Sequence, residues 1–151
     1  MGDELHGIEE DVRFNWAGAD ALEQELRSTS STLDGQISRR DGYASAAREE
    51  WRGVYSRQFA QRMEICTSDA GRLSDAMVTA ANQVQELAEA AQREQDRREK
   101  AREWKREQDN EGFFEKAGDF VFGEDEDDKP PIPPPEPPPQ FVTTAPARGR
   151  T

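Results

Sequence analysis

The side chains best suited to catalysis or metal binding are scarce in this sequence. His6 is the single histidine and Cys66 the single cysteine among 151 residues. His6 lies in an acidic segment and by itself builds neither a metal site nor a catalytic triad. Carboxylates are plentiful and a pair of them could support acid–base chemistry, but no Gly-rich phosphate loop accompanies them. We therefore expect a protein that is not an enzyme and that uses no cofactor and no metal.

The charge balance excludes further classes of function. The chain carries 32 acidic and 20 basic residues, for a net charge of −12, and only 33% of its residues are hydrophobic. Without a basic surplus, binding to nucleic acid or to an anionic membrane surface is not expected. No stretch approaches the ~20 apolar residues of a membrane-spanning helix, and the acidic start lacks the features of a Sec signal peptide. We expect no direct insertion into a membrane.

The composition changes three times along the chain, which predicts four segments. Residues 1–18 are acidic, and residues 19–111 contain no proline and are predicted to be helical. Residues 112–123 are rich in phenylalanine, and residues 124–151 form an acidic and proline-rich tail that we expect to be disordered.

Two apolar stripes with helical spacing lie within residues 19–111. A capping box formed by Asp20 and Glu23 predicts that the first helix begins near Asp20. The stripes step by three and four residues, as in helices packed nearly in line. Their main apolar members are Leu22, Leu26, Leu33 and Ile37 in the first helix and Tyr55, Phe59, Cys66, Leu73, Met77, Val84 and Leu87 in the second.

The segment Trp51-Arg52-Gly53 separates the two stripes and predicts a tight turn, since glycine tolerates the backbone that such a turn requires. The fold class is therefore all-α, a helix–turn–helix hairpin. Each stripe is rich in alanine and short of large residues, so a lone hairpin should be marginally stable. A second hairpin would complete a four-helix bundle. We expect a dimer, either homodimeric or heterodimeric, with the two stripes as the hairpin and dimer interface.

Other parts of the chain carry weaker signals. Cys66 is expected to be a small buried hydrophobe, with a disulfide across a symmetric dimer as the alternative. Residues 92–111 are rich in charges at helical ion-pair spacing, such as Glu94 and Arg98, and predict an exposed helical extension. The proline run at residues 130–139 predicts a stiff spacer, or alternatively a ligand for a proline-reading domain.

The Phe-rich segment, residues 112–123, has two interpretations. Its aromatic side chains fall on one face of a short helix and could cover apolar surface of the same chain. Alternatively, they could dock into a groove of a partner. The candidate docking residues are Phe113, Phe114 and Phe120.

The turn and its surroundings resemble the WXG family, the early-secreted-antigen-like proteins of type VII (ESX) secretion in actinobacteria and Firmicutes. Trp51, Gly53, Tyr55 and Phe59 form the pattern W-x-G-x-Y-x-x-x-F between two helices of an acidic chain without a Sec signal. The resemblance covers roughly residues 20–91. It implies hairpins that pair antiparallel into four-helix bundles and travel as folded dimers.

The resemblance also implies partners and a location. The partners would be another WXG-type protein and the type VII secretion ATPase, with Trp51 and Gly53 as the recognition turn. The protein would be cytoplasmic before export and then secreted or held in the cell envelope. One departure stands out: Ala47 and Phe59 lie four residues after Tyr43 and Tyr55, so the Y-x-x-x-[DE] export motif of the family is missing. A non-secreted coiled-coil adaptor or chaperone is the alternative function.

Overall fold

Two long helices account for most of the computed structural model, which describes residues 7–115 and 132–141; the side chains of residues 110–115 lie outside that description. Helix α1 spans Trp16–Glu49 and helix α2 spans Val54–Glu115. No strand occurs in these two ranges. The expectation of an all-α helical hairpin is confirmed.

Helix α1 begins four residues before the predicted capping box at Asp20. The side chain of Asn15 caps the helix, because its Oδ1 accepts a hydrogen bond of 3.0 Å from the backbone N–H of Gly18. An asparagine at this position satisfies one of the amide groups that the first turn leaves without a helical partner. The prediction of a start near Asp20 is therefore wrong by one turn, and Trp16 lies inside the helix.

The chain divides into two compact units. One consists of Asn15–Glu86 and contains the helical hairpin; we call it the hairpin unit. The other consists of Met1–Phe14 together with Leu87–Thr151, of which residues 7–14, 87–115 and 132–141 are described; we call it the clasp unit.

The hairpin unit is held together by one strictly periodic row of residues on each helix, which we call the seam. Every seam residue is buried or half-buried, and the steps along each helix alternate between three and four residues, as expected for helices packed nearly in line. The seam consists of Glu23, Leu26, Ser30, Leu33, Ile37, Arg40 and Ala44 on α1 and of Ser56, Ala60, Met63, Thr67, Ala70, Ser74, Met77, Ala81 and Val84 on α2.

Small and polar residues dominate the centre of the seam. The hydroxyl oxygens of Ser30 and Ser74 lie 2.6 Å apart and share a hydrogen bond, and Ala81 is fully buried. Small side chains reduce the distance between two helix axes, and a buried hydroxyl pair costs little when each partner satisfies the other. Arg40 adds a second cross-link, because its guanidinium donates to Oγ1 of Thr67 at 2.9 Å.

Candidate protein-binding surfaces

The turn between the helices holds a tryptophan against the second turn of α2. The rings of Trp51 and Phe59 have centroids 5.4 Å apart and are tilted by 49°, a favourable aromatic arrangement. Gly53 has a φ of +105°, a conformation that side chains with a Cβ rarely adopt. Trp51 remains 42% exposed. The turn therefore has a backbone conformation that favours glycine at position 53, and it presents part of an indole to solvent.

The predicted interface residues divide into two groups, of which Leu87 alone lies in the clasp unit. Leu26, Leu33, Ile37, Met77 and Val84 lie in the seam, and Phe59 is half-buried beside it. Leu22, Tyr55, Cys66, Leu73 and Leu87 are exposed in the single chain, including Cys66, which was expected to be buried. The prediction of a buried Cys66 is wrong for the isolated chain, because the neighbouring Thr67 occupies the seam position.

Four exposed hydrophobic residues of the hairpin unit share a position relative to the seam. Leu22, Tyr43, Tyr55 and Leu73 each directly precede a seam residue, whereas the exposed Ile65 and Val78 do not. In an antiparallel helix pair, the positions that precede seam residues lie on the same side of both helices. Leu22 and Leu73 are about half exposed (50% and 51%), and Tyr43 and Tyr55 more than that. We call this side the apolar face; its hydrophobic members larger than alanine in the hairpin unit are Leu22, Tyr43, Tyr55, Phe59, Cys66 and Leu73.

The opposite side of the hairpin is polar and linked by hydrogen bonds. The guanidinium of Arg27 donates to Oδ1 of Asn82 at 3.0 Å, and Thr67 donates to the carboxylate of Asp41 at 2.7 Å. The hairpin is thus amphipathic as a whole, with polar cross-links on one side and hydrophobic side chains exposed on the other. Exposed apolar surface of this kind is typical of a binding site for another protein.

In the clasp unit, a small hydrophobic cluster joins three separate parts of the sequence. Ile8, Ala101 and Ile132 are buried, and Trp104 packs against them. Ile132 belongs to the segment predicted to be a disordered tail, and here it contacts the helix instead of extending into solvent. The charged extension of α2 is correspondingly not fully exposed, since Arg97 and Ala101 are buried.

Charged groups surround this cluster. The carboxylate of Asp11 accepts hydrogen bonds from Gln95 at 3.0 Å and from Arg102 at 2.7 Å, and both bonds lower the pKa of Asp11. Arg97 and Arg98 donate to Glu94 at 2.7 and 2.8 Å. These bonds lower the pKa of Glu94 to about 2, and the bond from Arg97 has the larger effect. Of the ion pairs predicted from spacing, Glu94–Arg98 is present.

An open groove of about 900 Å³ runs between α2 and the proline segment within the clasp unit. Its apolar walls include Phe14, Leu87, Ala91 and Trp104 on one side and Pro133 and Pro137 on the other. Glu136 borders the groove, with its carboxylate 3.4 Å from the Arg93 guanidinium. The sequence did not indicate this groove, because its walls come from segments that are at least 25 residues apart.

Several predicted positions lie outside the described side chains. Phe113 and Phe114 belong to α2, but their side chains are not described, and Phe120 lies outside the described residues, as does His6. Over the described ranges, no cluster of three or more metal-ligating side chains is found. No helix in those ranges combines the length and apolar character needed to cross a membrane.

No protein-family model, curated protein or solved structure matches this chain.

Proposed function

We propose that this protein is a substrate or targeting partner of a type VII (ESX) secretion system and acts by protein–protein binding as a paired helical hairpin. The proposal rests on the resemblance of the W-x-G region to the WXG family. The single observation that supports it best is the geometry of the turn, where Gly53 has a φ of +105° and Trp51 is 42% exposed. A partly exposed indole beside the turn is suited to recognition by another protein.

The amphipathic hairpin supports the pairing part of the proposal. One side carries the polar cross-links of Arg27 and Asp41, whereas the other exposes Leu22, Tyr55 and Leu73 to solvent. Covering these side chains with a second hairpin would remove apolar surface from water, at ~25 cal/mol per Å². The product would be a four-helix bundle.

The proposed mechanism is recognition of a composite surface. Pairing places a second hairpin beside the first, and Trp51 and Gly53 then form part of a site that the membrane ATPase of the secretion machinery binds. The partner hairpin would supply the Y-x-x-x-[DE] motif where the partner is a different protein. Export would proceed from the cytoplasm to the envelope or the medium.

The test is an export assay with a matched tryptophan control. Trp51→Ala should abolish the appearance of the protein in culture filtrate, while Trp16→Ala should be exported normally. Trp16 is a fair control, since it also stands in a W-x-G sequence and is 37% exposed, but it lies within α1. Circular dichroism must show that both variants retain their helices, because Trp51→Ala also removes the contact with Phe59, worth ~1 kcal/mol.

Two strains complete the experiment, one with and one without the type VII ATPase, and both with a cytosolic lysis marker. Protein in the filtrate only when the ATPase is present supports the proposal. Protein confined to the lysate of both strains contradicts it and favours a non-secreted coiled-coil adaptor.

A further inference from the structure

The proline segment, residues 132–141, is confined to an extended backbone by its composition. Six of the eight residues from 132 to 139 are proline, and proline holds φ at about −65°. The other two, Ile132 and Glu136, each precede a proline, which disfavours the helical conformation. The segment belongs to neither a helix nor a strand. These restrictions favour a polyproline II helix, in which residues three apart lie on the same edge.

A polyproline II helix has three edges, and here the edges differ in exposure. Pro134, Pro137 and Gln140 form one edge, and all three residues are exposed. We call it the open edge. A second edge begins at Ile132, which is buried, and ends at Phe141, which is half-buried. This second edge therefore attaches the two ends of the segment to the clasp unit.

The third edge carries the ionic contact between the segment and α2. Glu136 lies on this edge, with its carboxylate 3.4 Å from the Arg93 guanidinium, and Pro139 on the same edge is half-buried. Of the three edges, only the open edge is exposed at every position within residues 132–141. The contacts of the segment with the clasp unit thus set its rotation about its own axis.

The prolines of the open edge have the spacing that proline-reading domains recognise. Such domains bind P-x-x-P sequences in a groove lined by aromatic side chains. Residues 132–141 contain two such pairs, Pro134–Pro137 and Pro135–Pro138, and the spacing alone does not favour either. The structure distinguishes them, because Pro135 and Pro138 share their edge with the buried Ile132.

Space for a partner is present beside the open edge. Pro134 and Pro137 border the groove of about 900 Å³, whose opposite wall includes Leu87 and Trp104. An aromatic side chain of a partner has room there to contact the proline rings and the apolar wall together. In addition, a ligand that is already held in its bound conformation loses less entropy when it associates.

We propose that the proline segment is a binding site for a proline-reading domain and that the open edge, with Pro134 and Pro137, enters the groove of the partner. The partner is a protein domain whose groove is lined by aromatic side chains, which pack on the proline rings. Helix α2 fixes the orientation of the ligand through its contacts with Ile132 and Glu136. This inference does not depend on the proposed secretion function.

The first experiment titrates the full-length chain with three purified probe domains, an SH3, a WW and an EVH1 domain, by isothermal titration calorimetry. At least one probe should bind with a dissociation constant of ~100 µM or lower. Replacing Pro134 and Pro137 together by alanine should weaken binding at least ~tenfold. The matched control replaces Pro135 and Pro138, which are equally spaced and also exposed, and it should weaken binding less than ~threefold.

Both double variants should keep the proline segment attached to the clasp unit. Trp104 packs against the cluster that contains Ile132, so its emission reports attachment in a chain whose other tryptophans are replaced by phenylalanine. The emission should equal that of the parent chain. If a double variant detaches the segment, the single variants Pro137→Ala and Pro138→Ala provide the same comparison.

The second experiment releases the segment from α2. Ile132→Ala removes its buried contact, and binding of the same probe should weaken by roughly threefold or more, because the detached segment must be ordered again on association. Unchanged or tighter binding would overturn the proposal, since the clasp unit would then hide the prolines instead of presenting them.

The remaining outcomes also decide the proposal. Failure of all three probes to bind the parent chain overturns it, and so does an equal loss of affinity in the two double variants. A loss confined to the variant of Pro134 and Pro137, together with weaker binding of Ile132→Ala, supports it. The export assay tests the proposed function separately.

Discussion

The contact of Ile132 with Ile8, Ala101 and Trp104 inside the clasp unit gives the sharpest prediction about stability. Ile132 is 8% exposed and lies with Ile8, Ala101 and Trp104 in one hydrophobic cluster. Replacing it with alanine removes three carbon groups from that cluster, at ~0.8 kcal/mol each, or ~2.4 kcal/mol together. The cluster is small and at the surface, so it can collapse and little further cavity cost is expected.

This loss should act on the proline segment and not on the whole hairpin. Residues 132–141 have few other contacts with the helix. One of them is the exposed ion pair between Glu136 and Arg93. A cost of ~2.4 kcal/mol therefore raises the population in which the segment is detached by roughly fiftyfold. The helices, stabilised by their own hydrogen bonds and by the seam, should keep their content.

The assay follows Trp104 fluorescence during urea titration, in a background where Trp16 and Trp51 are replaced by phenylalanine. Trp104 is then the single indole, since the chain has three tryptophans. Ile132→Ala should move the change in Trp104 emission to lower urea. The control Gln140→Ala, at an exposed position of the same segment, should leave it unchanged. The reasoning is refuted if Ile132→Ala shifts the Trp104 transition by less than ~0.3 kcal/mol, or if helix content falls in the same urea range.

Two further predictions concern the turn and the loss of stability at low pH. Gly53→Ala should destabilise the hairpin by ~1–2 kcal/mol because Gly53 has a φ of +105°. Gly35→Ala, inside α1 with open space around it, should stabilise the hairpin by ~0.5–1 kcal/mol. Equal melting temperatures of the two variants would contradict this prediction. Glu94 has a folded pKa of about 2, below its ordinary value of 4.5. Its contribution should therefore be full above about pH 4.5 and be lost as the pH falls towards 2. Glu94→Gln should make the free energy of unfolding depend less on pH over that range. An unchanged pH dependence would refute the role of Glu94.

The helices and the turn of the hairpin were predictable because they depend on residues that lie close together in the sequence. A proline-free sequence with three- and four-residue apolar spacing predicts helices, and a glycine between two stripes predicts a turn. Both helices and the turn at Gly53 are present. The helix start was misplaced because Asn15 caps α1 one turn earlier than Asp20.

The sequence alone could not decide which of two adjacent rows on α2 packs against α1. The predicted hairpin and dimer interface includes Cys66 and Leu73 together with Met77 and Val84. Within the hairpin, Met77 and Val84 lie in the seam, whereas Thr67 and Ser74 take the seam positions next to Cys66 and Leu73. An analysis of apolar spacing treats serine and threonine as polar and therefore as exposed. In the hairpin, however, the hydroxyls of Ser30 and Ser74 are buried because they form a hydrogen bond with each other. That pairing exists only once both helices are in place.

What the sequence by itself determined is therefore the set of elements: two helices, a glycine turn and a strongly negative net charge. Tertiary structure decided which positions are buried, and it brought Ile8 and Ile132 together on Ala101. The physical reason is the distance along the sequence over which each interaction acts. Helix and turn preferences act between residues a few positions apart, whereas burial depends on which surfaces the folded chain places in contact.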